Sequence, residues 1–151
     1  MATYAPAPEL ENIASTLIHK YSHCLPDLNI DKLGFLWELD AKAKDESAVN
    51  MGATKKLDAA TKVFYTDKDY VLILFRNRWD ACSPAQQHNE IFSLLLKCNW
   101  DGEKLNKPDV IEHYEVAAAV GIDWRYNPDC RDLLVDSVDV ISNPNNKEDG
   151  E

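Results

Sequence analysis

The sequence predicts an α+β domain in which an N-terminal helix, a small three-stranded sheet, a central buried helix and a second helix follow one another. Three observations support this prediction: an apolar stripe with helical period near the N-terminus, three short apolar segments in the first half, and an apolar helix-forming run that starts near residue 83. A chain of 151 residues suits one domain.

The first predicted helix begins at Pro8, after a loose arm over residues 1–7. It should end before Pro26, because the residue ahead of a proline disfavours helical backbone. Apolar residues recur along it at intervals of three and four, which is typical of a helix lying on a core. These residues are Leu10, Ile13, Ala14, Leu17, Ile18 and Tyr21.

Three segments are predicted as strands: residues 33–39, 62–65 and 70–75. The charged stretch between the first two is interpreted as a surface excursion. The polar sequence TDKD separates the last two, which favours a hairpin. The segment over residues 70–75, YVLILF, is apolar at nearly every position, so we expect it to be central and covered on both faces.

The central helix has a strong start signal in the order Ser83, Pro84, Gln86. Serine suits the N-cap, proline suits the first helical position, and glutamine three residues after the cap completes a capping box. The helix is expected to run to about Cys98. Its sequence is polar at first and then almost wholly apolar, which predicts a position in the middle of the core.

A second helix is predicted from residues 106–108 to Gly121, which suits the position after a helix C-terminus. A short helix over residues 129–135 is a further expectation. The final residues lack apolar side chains, so we predict one domain over residues 1–136 and an acidic disordered tail over residues 137–151.

The net charge of −10 disfavours direct binding to nucleic acid or to an anionic membrane, because both are negatively charged. Such acidity serves solubility, or it allows the protein to mimic nucleic acid toward a basic groove. Four cysteines without a C-x-x-C pair, and an N-terminal sequence unlike a signal peptide, predict reduced thiols in the cytoplasm. No apolar run approaches the roughly 20 residues of a membrane span.

Two phrases of the sequence carry a family resemblance. The predicted strand YVLILF leads into RNRWDACSPAQQ, which places Trp79 just before Gln86 and Gln87 at the start of the central helix. After a loop, the phrase PDVIEHY over residues 108–114 leads to Gly121 and Trp124. The order and spacing of these phrases resemble those of the phage metallopeptidase family over residues 7–126.

That resemblance implies a zincin-like fold, with an active helix that carries H-E-x-x-H and then a cysteine. The two histidines hold Zn²⁺ from one helix face, and the glutamate is the general base for the metal-bound water. Aligning the cysteine on Cys98 puts Ser93 and Lys97 on the histidines and Leu94 on the glutamate. Pro108 then stands where the family has a third histidine. The resemblance therefore implies a degenerate site without zinc and without catalytic residues.

The sequence also contains other groups of residues that could bind a metal ion. Asp109, Glu112 and His113 have the spacing of one helix face and predict a displaced metal site or a partner surface. His19 and His23 also have ligand spacing, but no carboxylate lies near them on that face. His88 and Glu90, two positions apart, point to different helix sides. Cys98 is interpreted as a core cysteine, and neither a nucleophile motif nor a glycine-rich phosphate loop occurs.

The sequence therefore predicts a catalytically inactive phage metallopeptidase-like protein that needs no cofactor and acts by binding another protein. Inhibition of a host defence or nucleic-acid enzyme would suit a small acidic phage protein in the host cytoplasm. Two alternatives stay open: a metallopeptidase with an atypical metal site, and an accessory phage protein of unrelated ancestry. The many aromatic residues after the strands are explained by core packing or by a partner surface.

Overall fold

The structure is a computed structural model that describes residues 3–39, 51–64, 67–99, 102, 105–106, 113–121, 124–138 and 140–141. It confirms the α+β class. The helices and strands are, in chain order, β1 (Tyr4–Pro6), α1 (Pro8–Lys20), β2 (Leu33–Glu38), β3 (Gly52–Lys56), α2 (Ala59–Phe64), β4 (Tyr70–Phe75), α3 (Arg76–Asp80), α4 (Pro84–Leu96) and α5 (Tyr114–Val120).

The sheet has four strands in the order β1-β2-β4-β3. The two inner strands, β2 and β4, run parallel, and each edge strand runs antiparallel to its neighbour. The predicted central position of β4 is confirmed. Its residues Tyr70, Leu72 and Leu74 are fully buried, because helices cover that face of the sheet.

The strand count and the position of one strand were predicted wrongly. Residues 62–64 belong to the end of α2, so these three residues do not form a hairpin strand with β4. The helix is favoured locally because the Asp58 carboxylate accepts a hydrogen bond from the Thr61 amide at 2.7 Å. The strand next to β4 is instead β3, which lies in the predicted surface excursion.

The predicted loose arm also contributes a strand. In β1, Tyr4 pairs with Glu38 and Pro6 with Leu36, and the Ala7 amide continues the pairing by donating to the Phe35 carbonyl at 3.2 Å. A proline is tolerated there because an edge strand leaves half of its backbone amides without a partner strand. Three residues are too few to show a strand period in the sequence.

The predicted first helix is confirmed as α1, which ends at Lys20, before Pro26. It packs on β2 and on α4. Four of its predicted stripe residues are buried in the core and the other two are partly buried. The buried residues are Leu10, Ala14, Leu17 and Tyr21.

The predicted capping box of the central helix is confirmed. The Ser83 hydroxyl accepts a hydrogen bond from the Gln86 amide at 3.3 Å, and the Gln86 side chain accepts one from the Ser83 amide at 3.0 Å. The helix ends at Leu96, with Lys97 as its C-cap. The predicted position of this helix in the core is confirmed, because the apolar residues of its second half are buried: Ile91, Phe92, Leu94, Leu95 and Leu96.

The second helix begins later than predicted. His113 has extended backbone, so α5 starts at Tyr114, and residues 107–112 lie outside the described residues. Gly121 closes the helix as expected, with a positive φ of 92° that favours glycine. Residues 129–135 form turns instead of a short helix, because capping contacts from side chains replace the helical ladder there.

The chain stays packed beyond the turns, since Val138 and Val140 belong to the core. The predicted tail over residues 137–151 therefore begins within the packed part of the chain, and residues 142–151 lie outside the described residues. Among the described residues, the structure contains no helix with the length and apolar content needed to cross a membrane.

Candidate functional site on the central helix

Four polar residues are buried on α4 among apolar neighbours. They recur at intervals of three and four positions, so they lie on one side of the helix and form a polar seam. The seam consists of Gln86, Asn89, Glu90 and Ser93. Burying polar groups costs free energy unless they are hydrogen-bonded, so the partners of the seam indicate what it does.

Two seam residues bind the backbone of the segment that follows α5. The Gln86 side-chain amide donates to the Arg125 carbonyl at 2.8 Å. The Asn89 side chain uses both ends: its NH₂ donates to the Arg131 carbonyl at 2.7 Å, and its oxygen accepts from the Leu133 amide at 2.9 Å. These bonds hold residues 124–133 against the central helix.

The other two seam residues meet the side chain of Arg125. Its Nη2 lies 3.1 Å from Glu90 Oε1 and 3.5 Å from Ser93 Oγ. The Glu90 side chain is 2% exposed and that of Arg125 is 25% exposed, so this ion pair is largely withdrawn from water. The guanidinium also lies over the Trp124 ring, 4.4 Å from its centroid.

A buried histidine lies at the start of the neighbouring helix. His113 is 4% exposed, is the N-cap residue of α5, and has extended backbone. Helix α5 packs against α4, the helix that carries the seam. The site therefore combines the carboxylate, hydroxyl and two amides of α4 with the Arg125 guanidinium. His113 lies at the start of α5, the helix that packs against α4.

Three of the four predicted degenerate site residues lie within the described part of the chain, and their surroundings differ. Ser93 belongs to the seam. Leu94 is buried in the apolar core, and its carbonyl accepts a hydrogen bond from Thr54 at 2.9 Å. Lys97 is half-buried and follows the last residue of α4. Pro108 lies outside the described residues.

The predicted alternative ligand sets have other roles where the structure describes them. His23 Nε2 lies 2.6 Å from the Val140 carbonyl, and His88 Nδ1 lies 2.9 Å from the Asp132 carboxylate. Asp109 and Glu112 lie outside the described residues, so the expected grouping of these two side chains with His113 stays a prediction. Among the described residues, no three His, Cys, Asp or Glu side chains are grouped as metal ligands.

Cys98 is a core cysteine, as predicted. Burial raises the pKa of its thiol to about 12, because the charged thiolate is disfavoured away from water. A cysteine nucleophile reacts as the thiolate, so Cys98 is unsuited to covalent catalysis near neutral pH. Burial, followed by the nearby negative charge of Glu90, also raises the pKa of the Cys82 thiol.

Sequence reasoning missed the role of Arg125 and treated Glu90 only as a neighbour of His88. A signal for the seam was present, since polar residues recur with helical period inside the most apolar helix. No comparable signal marks Arg125, because it lies 35 residues from Glu90 in the sequence.

Comparison with protein families gave one finding. A family model described as "Putative phage metallopeptidase" matches residues 2–137, which is most of the chain. Searches of curated proteins and of solved structures each gave no significant match.

Proposed function

The chain belongs to the phage metallopeptidase family, and from this premise we propose that it no longer cuts peptides and acts by binding another protein. The observation that carries this proposal is the buried ion pair between Glu90 and Arg125, which occupies the carboxylate on the central helix. A general base must reach the proton it abstracts, and a carboxylate oxygen bonded to a guanidinium is poorly placed to do so.

The residues of the seam do not fit a zinc ion. Serine and an asparagine amide are weak ligands compared with imidazole, thiolate or carboxylate. Both ends of the Asn89 side chain are already bound to backbone groups. A permanently charged guanidinium 3.5 Å from Ser93 Oγ would also repel a divalent cation, at a cost of several kcal/mol even with an effective dielectric near 20.

Charge supports a protein partner with a basic surface. The chain carries a net charge of −10, which steers it toward positively charged surfaces. The segment after α5, which the seam holds in place, exposes Tyr126 at 70% and Val135 at 71%. A net negative charge together with exposed apolar side chains suits a basic groove, such as that of a host defence or nucleic-acid enzyme.

The alternatives differ in what they predict. A metallopeptidase with an atypical site would need metal ligands among residues outside the described part of the chain. Unrelated ancestry conflicts with the family match over residues 2–137. A salt-sensitive capture of one basic protein from host lysate supports the interaction role, and an equal capture by the heat-unfolded protein would count against it.

We predict that the purified protein carries less than about 0.2 equivalents of zinc, because the one strong ligand of the seam, the Glu90 carboxylate, is already paired with Arg125. Elemental analysis after gel filtration in the presence of excess Zn²⁺ measures this, with a zinc peptidase of similar size as the positive control. Stoichiometric zinc that only a strong chelator removes, together with cleavage of a general peptide substrate, would overturn the proposed function.

A further inference from the structure

We propose that the seam on α4 is the remnant of a metal site and that the Arg125 guanidinium has taken the place of the metal ion. In this assignment Asn89 and Ser93 stand where two ligands stood, Glu90 is the retained base, and His113 is a retained third ligand. The inference deepens the proposed function and rests on it.

Spacing and burial support this set of residues. Asn89, Glu90 and Ser93 occupy positions i, i+1 and i+4, which is the spacing of the ligands and base in H-E-x-x-H. Their exposures are 0%, 1% and 2%, so all three lie on the buried side of α4. The alignment on Cys98 instead places a base in the apolar core at Leu94 and a ligand beyond the end of α4 at Lys97.

Charge gives an independent reason. A buried carboxylate is costly unless a positive charge compensates it. A bound divalent ion would supply that charge in a metal site, and Arg125 supplies it here. Arginine suits this role because its guanidinium stays charged at every relevant pH and donates to two oxygens at once, here those of Glu90 and Ser93.

Side chains of the seam now form hydrogen bonds with the segment that carries Arg125. Asn89 fixes the backbone at Arg131 and Leu133, which lie in the segment that carries Arg125. Gln86 fixes the Arg125 carbonyl itself. These bonds determine where the guanidinium lies. The residues that replaced the metal ligands therefore also position the arginine that replaced the metal.

The test restores the ligands and removes the competing cation. In the variant N89H/S93H/R125A, which keeps Glu90 and His113, we expect about one equivalent of zinc after gel filtration. The matched control is S93H/L94E/K97H/P108H, built on the other alignment, for which we expect no retained zinc. A folded N89H/S93H/R125A protein without zinc, or zinc in the control instead, would overturn the assignment.

If N89H/S93H/R125A does not fold, a second measurement tests whether the seam is the remnant of a metal site. Zn²⁺ at about 1 mM should raise the Tm of R125A by about 3 °C or more, because the buried Glu90 carboxylate, left without its guanidinium, attracts the divalent ion. It should not raise the Tm of E90Q/R125A, which lacks the carboxylate. Equal responses of the two variants would overturn the assignment.

The wild-type protein, measured beside these variants, separates this inference from the proposed function. Zinc in the wild-type protein would overturn both. A zinc-free wild-type protein with zinc-free, folded N89H/S93H/R125A would overturn only the assignment of the seam and leave the proposed function standing.

Discussion

Arg125→Ala is expected to lower the free energy of unfolding by about 3 kcal/mol, which is the low end of the range for breaking a buried ion pair. The loss arises because the Glu90 carboxylate, whose side chain is 2% exposed, would remain in the core without its cation. The low end applies because the Arg125 side chain is 25% exposed and the pair is partly solvated. Urea unfolding at pH 7 measures the change.

Arg131→Ala is the matched control, because this arginine is exposed on the same segment and only its backbone carbonyl binds Asn89. It should cost less than about 0.5 kcal/mol. Adding Glu90→Gln to Arg125→Ala should recover stability, since the uncompensated charge is then gone. Equal losses from the two arginine variants would mean that the buried pair does not stabilise the fold.

Leu95→Ala is expected to cost about 3–4 kcal/mol, within the range for removing a buried leucine side chain. Leu95 is fully buried in the last turn of α4, the helix against which both α1 and β3 pack. Truncation therefore leaves a cavity with walls on several sides. Thermal or urea unfolding of the variant at pH 7 gives the value.

The matched control for this change is Leu39→Ala, because Leu39 is 45% exposed at the end of β2. We expect a cost below about 1 kcal/mol. A loss under about 1 kcal/mol for Leu95→Ala as well would place α4 at the periphery and contradict the core described above.

The helix ends that the sequence predicted correctly have local chemical causes. Pro8 begins α1, the reciprocal bonds of Ser83 and Gln86 begin α4, and Gly121 ends α5 with the positive φ that favours glycine. Each of these residues determines a helix end that lies within a few positions of it in the sequence. Sequence reasoning detects such signals because they do not depend on what packs nearby.

The edge strand β3 could not be predicted because its cause is distant in sequence. Its residues, GATKK, have little β propensity and no apolar alternation. The strand forms because it pairs with β4. At Gly52 a Cβ atom would lie 2.5 Å from the Ile73 carbonyl, so the close approach of the two strands depends on glycine there.

The candidate site was only half predictable for the same reason. The polar period that includes Asn89, Glu90 and Ser93 is local to one helix and is visible in the sequence. The choice between two possible alignments depends on which face of α4 meets Arg125 and which meets the core. The orientation of α4 depends on tertiary packing, so the position of a single residue such as Cys98 is not enough to choose the correct alignment.

The most direct test of the central claim is a crystal structure of the wild-type protein grown with excess Zn²⁺, with anomalous scattering recorded at the zinc edge. We predict the Arg125 guanidinium at hydrogen-bond distance from Glu90, as in the 3.1 Å contact described here, and no anomalous peak at the seam. An anomalous peak bound by Glu90 or His113, with Arg125 turned away, would contradict the claim that the guanidinium has replaced the metal.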